Sequence, residues 1–208
     1  MSSPTIVHLV RHGYVHNPNA IVYGRLPRFR LSAEGQSQAQ AAGEALSHKP
    51  LAAIYSSPLL RARQTAQAIR SFHASLSVRL VPLLVEISSP YDGVKISAME
   101  ARKWDLYSGN QHPHEQPEQI AERGCQFLQR MRSTHPGQQV VAVTHGDVLA
   151  FTIMWAKGET PNWQRKAQMA RFGFSDNYPQ TASITSFMFC TDDAAELPVV
   201  SYLRPYTK

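Results

Sequence analysis

The sequence predicts an α/β protein of three layers, α/β/α, with a mostly parallel central sheet, an antiparallel strand at its edge and helices on both faces. Three observations carry this. Continuous apolar runs at 6–10, 51–55 and 139–144 have no polar alternation, as expected of strands buried on both faces. Stretches with helical spacing of apolar residues lie between them, the pattern of strands joined by crossover helices. Two alternating segments, 181–190 and 197–203, are joined by a short polar link and read as a hairpin at the sheet edge.

The chain has 208 residues, which fits one domain spanning 1–208 with an irregular insertion at about 88–116. Its hydrophobic content of 43% is enough for a substantial core. Cys125 and Cys190 stand far apart without metal-ligating neighbours, so reduced thiols in a cytoplasmic protein are expected, with no zinc site. The N-terminus lacks the basic segment of a secretion signal, and the apolar stretch after it is too short for a membrane span. The net charge is +6 and the pI near 9.5, which suits nucleic acid, an acidic membrane surface or an anionic small molecule. The arginines are scattered, with no run of like charges. That pattern argues against a polybasic tail and for a pocket that takes an anion; neither a nucleic-acid nor a membrane partner is expected.

The first strand runs directly into Arg11-His12-Gly13. In open α/β sheets ligands bind at the carboxyl edge of the strands, where this guanidinium and imidazole would emerge. Gly13 lets the backbone turn sharply there. The loop 14–31 carries Asn17-Pro18-Asn19, Gly24 and Pro27, turn chemistry that excludes a regular helix. Ser32 caps a helix over 36–47, and Pro50 ends it. After the strand 51–55, Ser57 is the expected cap and Pro58 the first turn of a helix over 59–71. Arg61 falls in that first turn, against the helix dipole, an arrangement that suggests an anion held by the free N–H groups nearby.

A third strand is expected over 77–83, followed by Glu86 at the end of an apolar run. The insertion has room for a short helix at 98–106, and His112-Pro113-His114-Glu115 within it reads as an exposed loop rather than a metal site. A strong helix covers 117–134. The strand 139–144 then ends in His145-Gly146, repeating the opening pattern, and a helix over 148–157 follows at once. The segment 158–180 has no assignable period.

Two strands thus end in His-Gly, one helix start holds a paired arginine, and one strand end holds a carboxylate. Together they describe a site for covalent phosphoryl transfer: an imidazole nucleophile, cations for the phosphoryl oxygens and an acid for the leaving oxygen. The sequence resembles the histidine phosphatase superfamily, the phosphoglycerate mutase-like group. The resemblance rests on Leu9-Val10-Arg11-His12-Gly13, Leu31-Ser32-Ala33-Glu34-Gly35 with Gln38-Ala39, Ser56-Ser57-Pro58-Leu59-Leu60-Arg61-Ala62-Arg63-Gln64-Thr65-Ala66, Glu86, and Val143-Thr144-His145-Gly146.

The resemblance implies that His12 becomes phosphorylated and that Arg11, Arg61 and His145 surround the phosphoryl group. It implies Glu86 as the acid for the departing alcohol and then the base for water. Gly146 N–H is an added donor, and Gly13, Tyr14, Asn17 and Arg25 are expected around the substrate. Two guanidiniums and an imidazolium aimed at the equatorial oxygens are worth several kcal/mol, so neither a metal nor another cofactor is expected. The sequence departs from its relatives after the Arg-His-Gly, where Tyr14-Val15 stand, and Asn17 lies one residue closer to the histidine than the usual Asn. After Glu86 it reads Ser88-Ser89-Pro90-Tyr91-Asp92-Gly93, which offers Asp92 as a second acid. The expected activity is hydrolysis of a small phosphate monoester. The alternatives are a phosphoglycerate mutase and a non-catalytic module that binds phosphate or nucleic acid; oligomeric state is not legible.

Overall fold

A computed structural model describes residues 3–207. Its six-stranded sheet has the order β3-β2-β4-β1-β5-β6, with strands β1 (Thr5–Arg11), β2 (Leu51–Ser56), β3 (Val78–Leu80), β4 (Gln139–Thr144), β5 (Ile184–Phe189) and β6 (Val199–Leu203). The first four run parallel; β5 pairs antiparallel with β1 and with β6. The expected hairpin is therefore present, and the strand running against the others is one place in from the edge.

The helices are α1 (Ala33–Leu46), α2 (Leu60–Arg70), α3 (Ile96–Ala101), α4 (Pro117–Thr134) and α5 (Gly146–Ala156). Ala42 and Leu46 of α1 and Ala62, Ala66 and Ile69 of α2 pack with Val10, Val141 and Val143 on one face of the sheet. Phe127 and Leu128 of α4 and Phe151 of α5 pack with Val7, Leu9, Val140 and Ala142 on the other. Alternate residues of β4 thus serve opposite cores, which is why the strand is apolar without a break. His8, polar in such a strand, is satisfied by Ser186 and Gln139 at 2.7 and 3.1 Å. Among the described residues no helix is long and apolar enough to cross a membrane.

Several boundaries differ from expectation. The third strand stops at Leu80 because Pro82 cannot donate to a ladder and instead opens a 3₁₀ turn, Pro82–Leu84. The insertion helix is Ile96–Ala101, earlier and shorter than the expected 98–106, since Lys103 and Trp104 take left-handed backbone angles. Residues 158–180 hold two 3₁₀ turns, Trp163–Arg165 and Met169–Phe172. Ser32 caps α1 as expected, accepting from Gly35 N–H at 3.0 Å. Ser57 does not cap α2, whose N-cap is Leu59 without a side-chain bond.

The start of α1 lies hard against the turn after β1. A Cβ on Gly35 would run into the backbone of Tyr14, and one on Gly13 into the carbonyl of Gly35. Both obstacles are main chain, which cannot yield as a side chain tip would. Gly35→Ala, although Ala is the better helix former, is therefore expected to destabilise the protein by about 1–3 kcal/mol. Urea unfolding would measure it, and an unchanged midpoint would refute this reading of the turn.

Candidate active site

The site grows out of the point where the chain reverses its direction of travel across the sheet. From β1 the chain leads through α1 to β2 and β3; from β4 it leads through α5 to β5 and β6. Since β1 and β4 are neighbours with Arg11 opposite Thr144, their carboxyl ends flank a crevice between diverging connections. The His12 N–H continues the ladder onto Thr144 O at 3.0 Å. His12 and His145 therefore leave the sheet side by side, with ring centroids 5.1 Å apart.

Arg61, in the first turn of α2, enters the same crevice and is only 1% exposed. Its Nε–H donates to His12 Nε2 at 3.2 Å, one Nη2–H to Gly24 O at 2.7 Å, and Nη2 also meets His145 Nδ1 at 3.2 Å. The Tyr23 ring covers the guanidinium, 4.8 Å from centroid to Cζ. Because a guanidinium only donates, these contacts assign the tautomers. His12 carries its proton on Nδ1, donated to Gly13 O at 2.9 Å, and leaves Nε2 as a lone pair. His145 carries its proton on Nε2, donated to Ser57 Oγ at 2.8 Å.

Burial, reinforced by Arg61 and its neighbours, holds both imidazoles well below the ordinary histidine range. The imidazolium expected at His145 is therefore a neutral ring in the free protein. Glu86 follows the 3₁₀ turn and brings Oε2 to 3.5 Å from Arg61 Nη2 and 3.4 Å from His145 Nδ1. Burial raises its carboxyl above the usual value, against the pull of Arg61.

Arg11 donates from Nη1 to Pro179 O at 2.7 Å and lies 5.2 Å from the Tyr178 ring centroid, while its Nε has no partner. Arg11, His12, Glu86 and Gly146 line the inner end of a cavity of about 760 Å³. Tyr14, 53% exposed, stands at its wall.

Three expected substrate contacts have other employment. Arg25 donates from Nε to Glu86 O at 2.7 Å and pairs with Glu115 at 2.8 Å, which Arg123 also holds at 2.7 Å. It braces the Glu86 segment and is not among the residues lining the cavity. Asn17 reaches the cavity wall, but its amide bonds Ile21 O and N at 2.8 and 3.3 Å, stiffening its own loop. The Gly13 N–H is taken by Thr65 Oγ at 3.0 Å, so this glycine serves close packing rather than a ligand. Asp92 accepts from the Arg25 N–H at 2.9 Å, and Glu86 is the carboxylate that meets the histidines.

Sequence reasoning missed the carboxylate of Asp147, buried at the start of α5. It accepts from Lys166 at 2.7 Å and from the hydroxyls of Tyr107 and Tyr178 at 2.5 Å each. Burial opposes its charge, yet Lys166 and the hydroxyls outweigh that and hold the carboxyl below its usual range. In sequence Asp147 reads only as an acid suiting a helix N-terminus. The roles of Ser57 and Gly24 O were equally silent.

His12, Glu86 and His145 bring three possible ligand atoms within 4.8 Å of one another. They do not fit a metal ion, because the Arg61 guanidinium already stands among them as a fixed cation.

The sequence matches the histidine phosphatase superfamily, branch 1, over residues 7–179. It is 38% identical to an uncharacterised protein of Mycobacterium tuberculosis over 152 residues, 70% of this chain and 75% of that one. It is 31% identical to a metal-independent phosphoserine phosphatase of Arabidopsis thaliana, covering 71% of this chain and 67% of that one. Among solved structures, phosphoserine phosphatase from Entamoeba histolytica in complex with 3-phosphoglyceric acid superposes with a TM-score of 0.72 at 22% identity, over 95% of this chain and 96% of that one. Phosphoglycerate mutase from Bacillus anthracis gives 0.75 at 18% identity, over 98% and 94%. With a matched stretch that takes in Arg11, His12, Arg61, Glu86 and His145, the chain belongs to the histidine phosphatase superfamily.

Proposed function

We propose that the protein is a phosphatase that hydrolyses a small phosphate monoester through a phosphohistidine on His12. The observation that carries this is the unprotonated Nε2 of a neutral imidazole, His12, which is fixed by the Nδ1–H bond to Gly13 O, accepts from the buried Arg61 Nε–H and belongs to a residue lining the cavity. Such a nitrogen is a nucleophile at neutral pH without a further base.

In the first step His12 Nε2 bonds to phosphorus as the ester P–O bond breaks. Arg61 and Arg11 face the charge that gathers on the equatorial oxygens. Burial and then the neighbouring guanidiniums keep His145 neutral in the free site; a phosphoryl dianion beside it opposes the guanidiniums' repulsion and raises the ring's affinity for a proton. In its protonated form, which burial favours, Glu86 gives its proton to the departing alkoxide. In the second step its carboxylate takes a proton from water as the water oxygen attacks phosphorus, releasing phosphate and restoring His12. The partner is an anionic phosphorylated small molecule.

His12→Ala is expected to abolish release of inorganic phosphate and, with labelled substrate and rapid quenching, to leave no acid-labile phosphoprotein. Equal rates in wild type and variant would end the proposal. Glu86→Gln is expected to slow alkyl phosphates by about 10²–10⁴-fold. 4-Nitrophenyl phosphate, whose leaving group needs no proton, should suffer far less.

The pH profile follows from the same two groups. His12 must be neutral, and its pKa is lowered well below 6.5, so activity persists into acid until His12 protonates. Glu86 must be protonated, and its pKa is raised above 4.5, so the rate with alkyl esters falls as pH climbs through that raised pKa. Steady-state kinetics of Glu86→Gln should lack this alkaline limb; a limb that persists unchanged would assign the acid elsewhere.

A further inference from the structure

Beyond the phosphoryl end, the cavity has a character that the reaction does not require. Its volume, about 760 Å³, lies in the upper part of the roughly 300–1,000 Å³ found for pockets that enclose drug-sized ligands. Ile21 and Val22 from the loop after β1, Ile87 next to Glu86, Ile96 and Leu106 from 88–116, and Trp163 from the 158–180 segment line it. The Trp104 side chain stands at the same wall, 40% exposed. A rim tryptophan continuous with an aliphatic wall has no role in the core and marks a surface built for an apolar group.

Of the outer walls' two cations one is paired, and of Asp92 the Oδ2 is taken by the Arg25 N–H while Oδ1 has no partner. Among the described residues lining the cavity, the cations besides Arg11 are Lys103 and Lys166. Lys166 is tied to buried Asp147 at 2.7 Å, while Lys103 is exposed. A compact phosphorylated hydroxy acid or amino acid would bring its second charge against aliphatic side chains, which is costly without a partner.

The walls are also preformed. Backbone bonds join Val22 N–H to Val94 O at 2.7 Å, Gly93 N–H to Val22 O at 2.8 Å and Ile96 N–H to Ala20 O at 2.8 Å, making one wall of the first loop and the insertion. Tyr107, Lys166 and Tyr178 converge on Asp147 and fasten the remaining segments. A pocket ordered in advance spends little of its binding energy on closing around a ligand.

We propose that the cavity selects phosphate monoesters whose alcohol carries a bulky apolar body, the size of a phenyl ring or larger, over short polar phosphorylated acids. The hydrolytic part of this rests on the phosphatase reading; the choice of ligand does not. Propyl phosphate and 3-phenylpropyl phosphate differ only in a remote ring, so their leaving groups are matched. The wild type is expected to favour the phenyl ester in kcat/KM by about 10- to 100-fold, and to turn it over faster than O-phosphoserine at equal subsaturating concentration. Calorimetry with propylphosphonate and 3-phenylpropylphosphonate, which cannot be hydrolysed at the P–C bond, should show the same preference in Kd. Trp163→Ala and Ile96→Ala should each shrink the phenyl-to-propyl ratio, a change that a general loss of fold would not produce.

Equal Kd for the two phosphonates, or O-phosphoserine outrunning the phenyl ester, would overturn the proposal while leaving His12-dependent phosphatase activity standing. A phosphonate preference without hydrolysis of either ester would uphold the choice of ligand and overturn the phosphatase reading.

Discussion

One buried cation organises the site. Arg61 is almost wholly removed from water and sits where α2 begins, a place where the helix dipole is itself positive. A guanidinium is expensive there unless each N–H finds an acceptor. The structure supplies acceptors for Nε and Nη2 from three directions, His12 Nε2, His145 Nδ1 and Gly24 O, with Glu86 nearby. That satisfaction has consequences for every partner. Burial, with the cation's repulsion added to it, keeps both rings neutral, and the cation holds Glu86 back from the full rise that burial alone would give. With Arg11 also close and its Nε unpartnered, the free site carries more fixed positive charge than its own carboxylate can answer. A phosphoryl dianion is the charge it lacks.

Holding those groups within hydrogen-bond reach requires backbones that approach closely. The turn after β1 and the first turn of α1 meet through Gly13 and Gly35, and the Gly13 N–H is anchored by Thr65, whose hydroxyl in turn bonds Arg61 O at 3.0 Å. The nucleophile's loop and the helix that carries the guanidinium are thus tied to each other through one threonine. Ser57 does the same for His145 from the end of β2. The fold supplies strand ends in register; these short side chains convert register into distances.

How much of this the sequence displays depends on whether the cause is local. Unbroken apolar strands such as 139–144, the capped start at Ser32 and the long amphipathic α4 all follow from spacing within a dozen residues, and all appear where spacing places them. His12 and His145 follow recognisable strand ends and Arg61 a recognisable helix start, and the crevice brings them together with Glu86, which follows a 3₁₀ turn where the sequence predicts a strand end. Arg25 failed the same reasoning: its proximity to the strand edge was real, but its partner Glu115 lies 90 residues away. Ser57 looked like a cap because Pro58 follows it, whereas its hydroxyl is claimed by a histidine 88 residues on. Asp147 and Lys166 are likewise partners that no periodicity announces, since the segment holding Lys166 has only 3₁₀ turns.

This division separates reaction from selection. The reacting end is assembled from strand ends and helix starts, whose positions the sheet dictates, and its residue types are those that phosphoryl transfer demands. The outer cavity is built from segments without regular structure, which need a tertiary contact to hold any shape at all. Asp147 provides it. Its place, directly after Gly146 at the start of α5, makes the anchor of the cavity wall continuous with the strand end that delivers His145. Tyr178 and Lys166, which line the cavity, are held through this one carboxylate to the terminus of α5. Gly146 alone separates Asp147 from His145 in the chain, so the carboxylate that fastens the cavity wall and the histidine beside His12 are delivered by the same strand end.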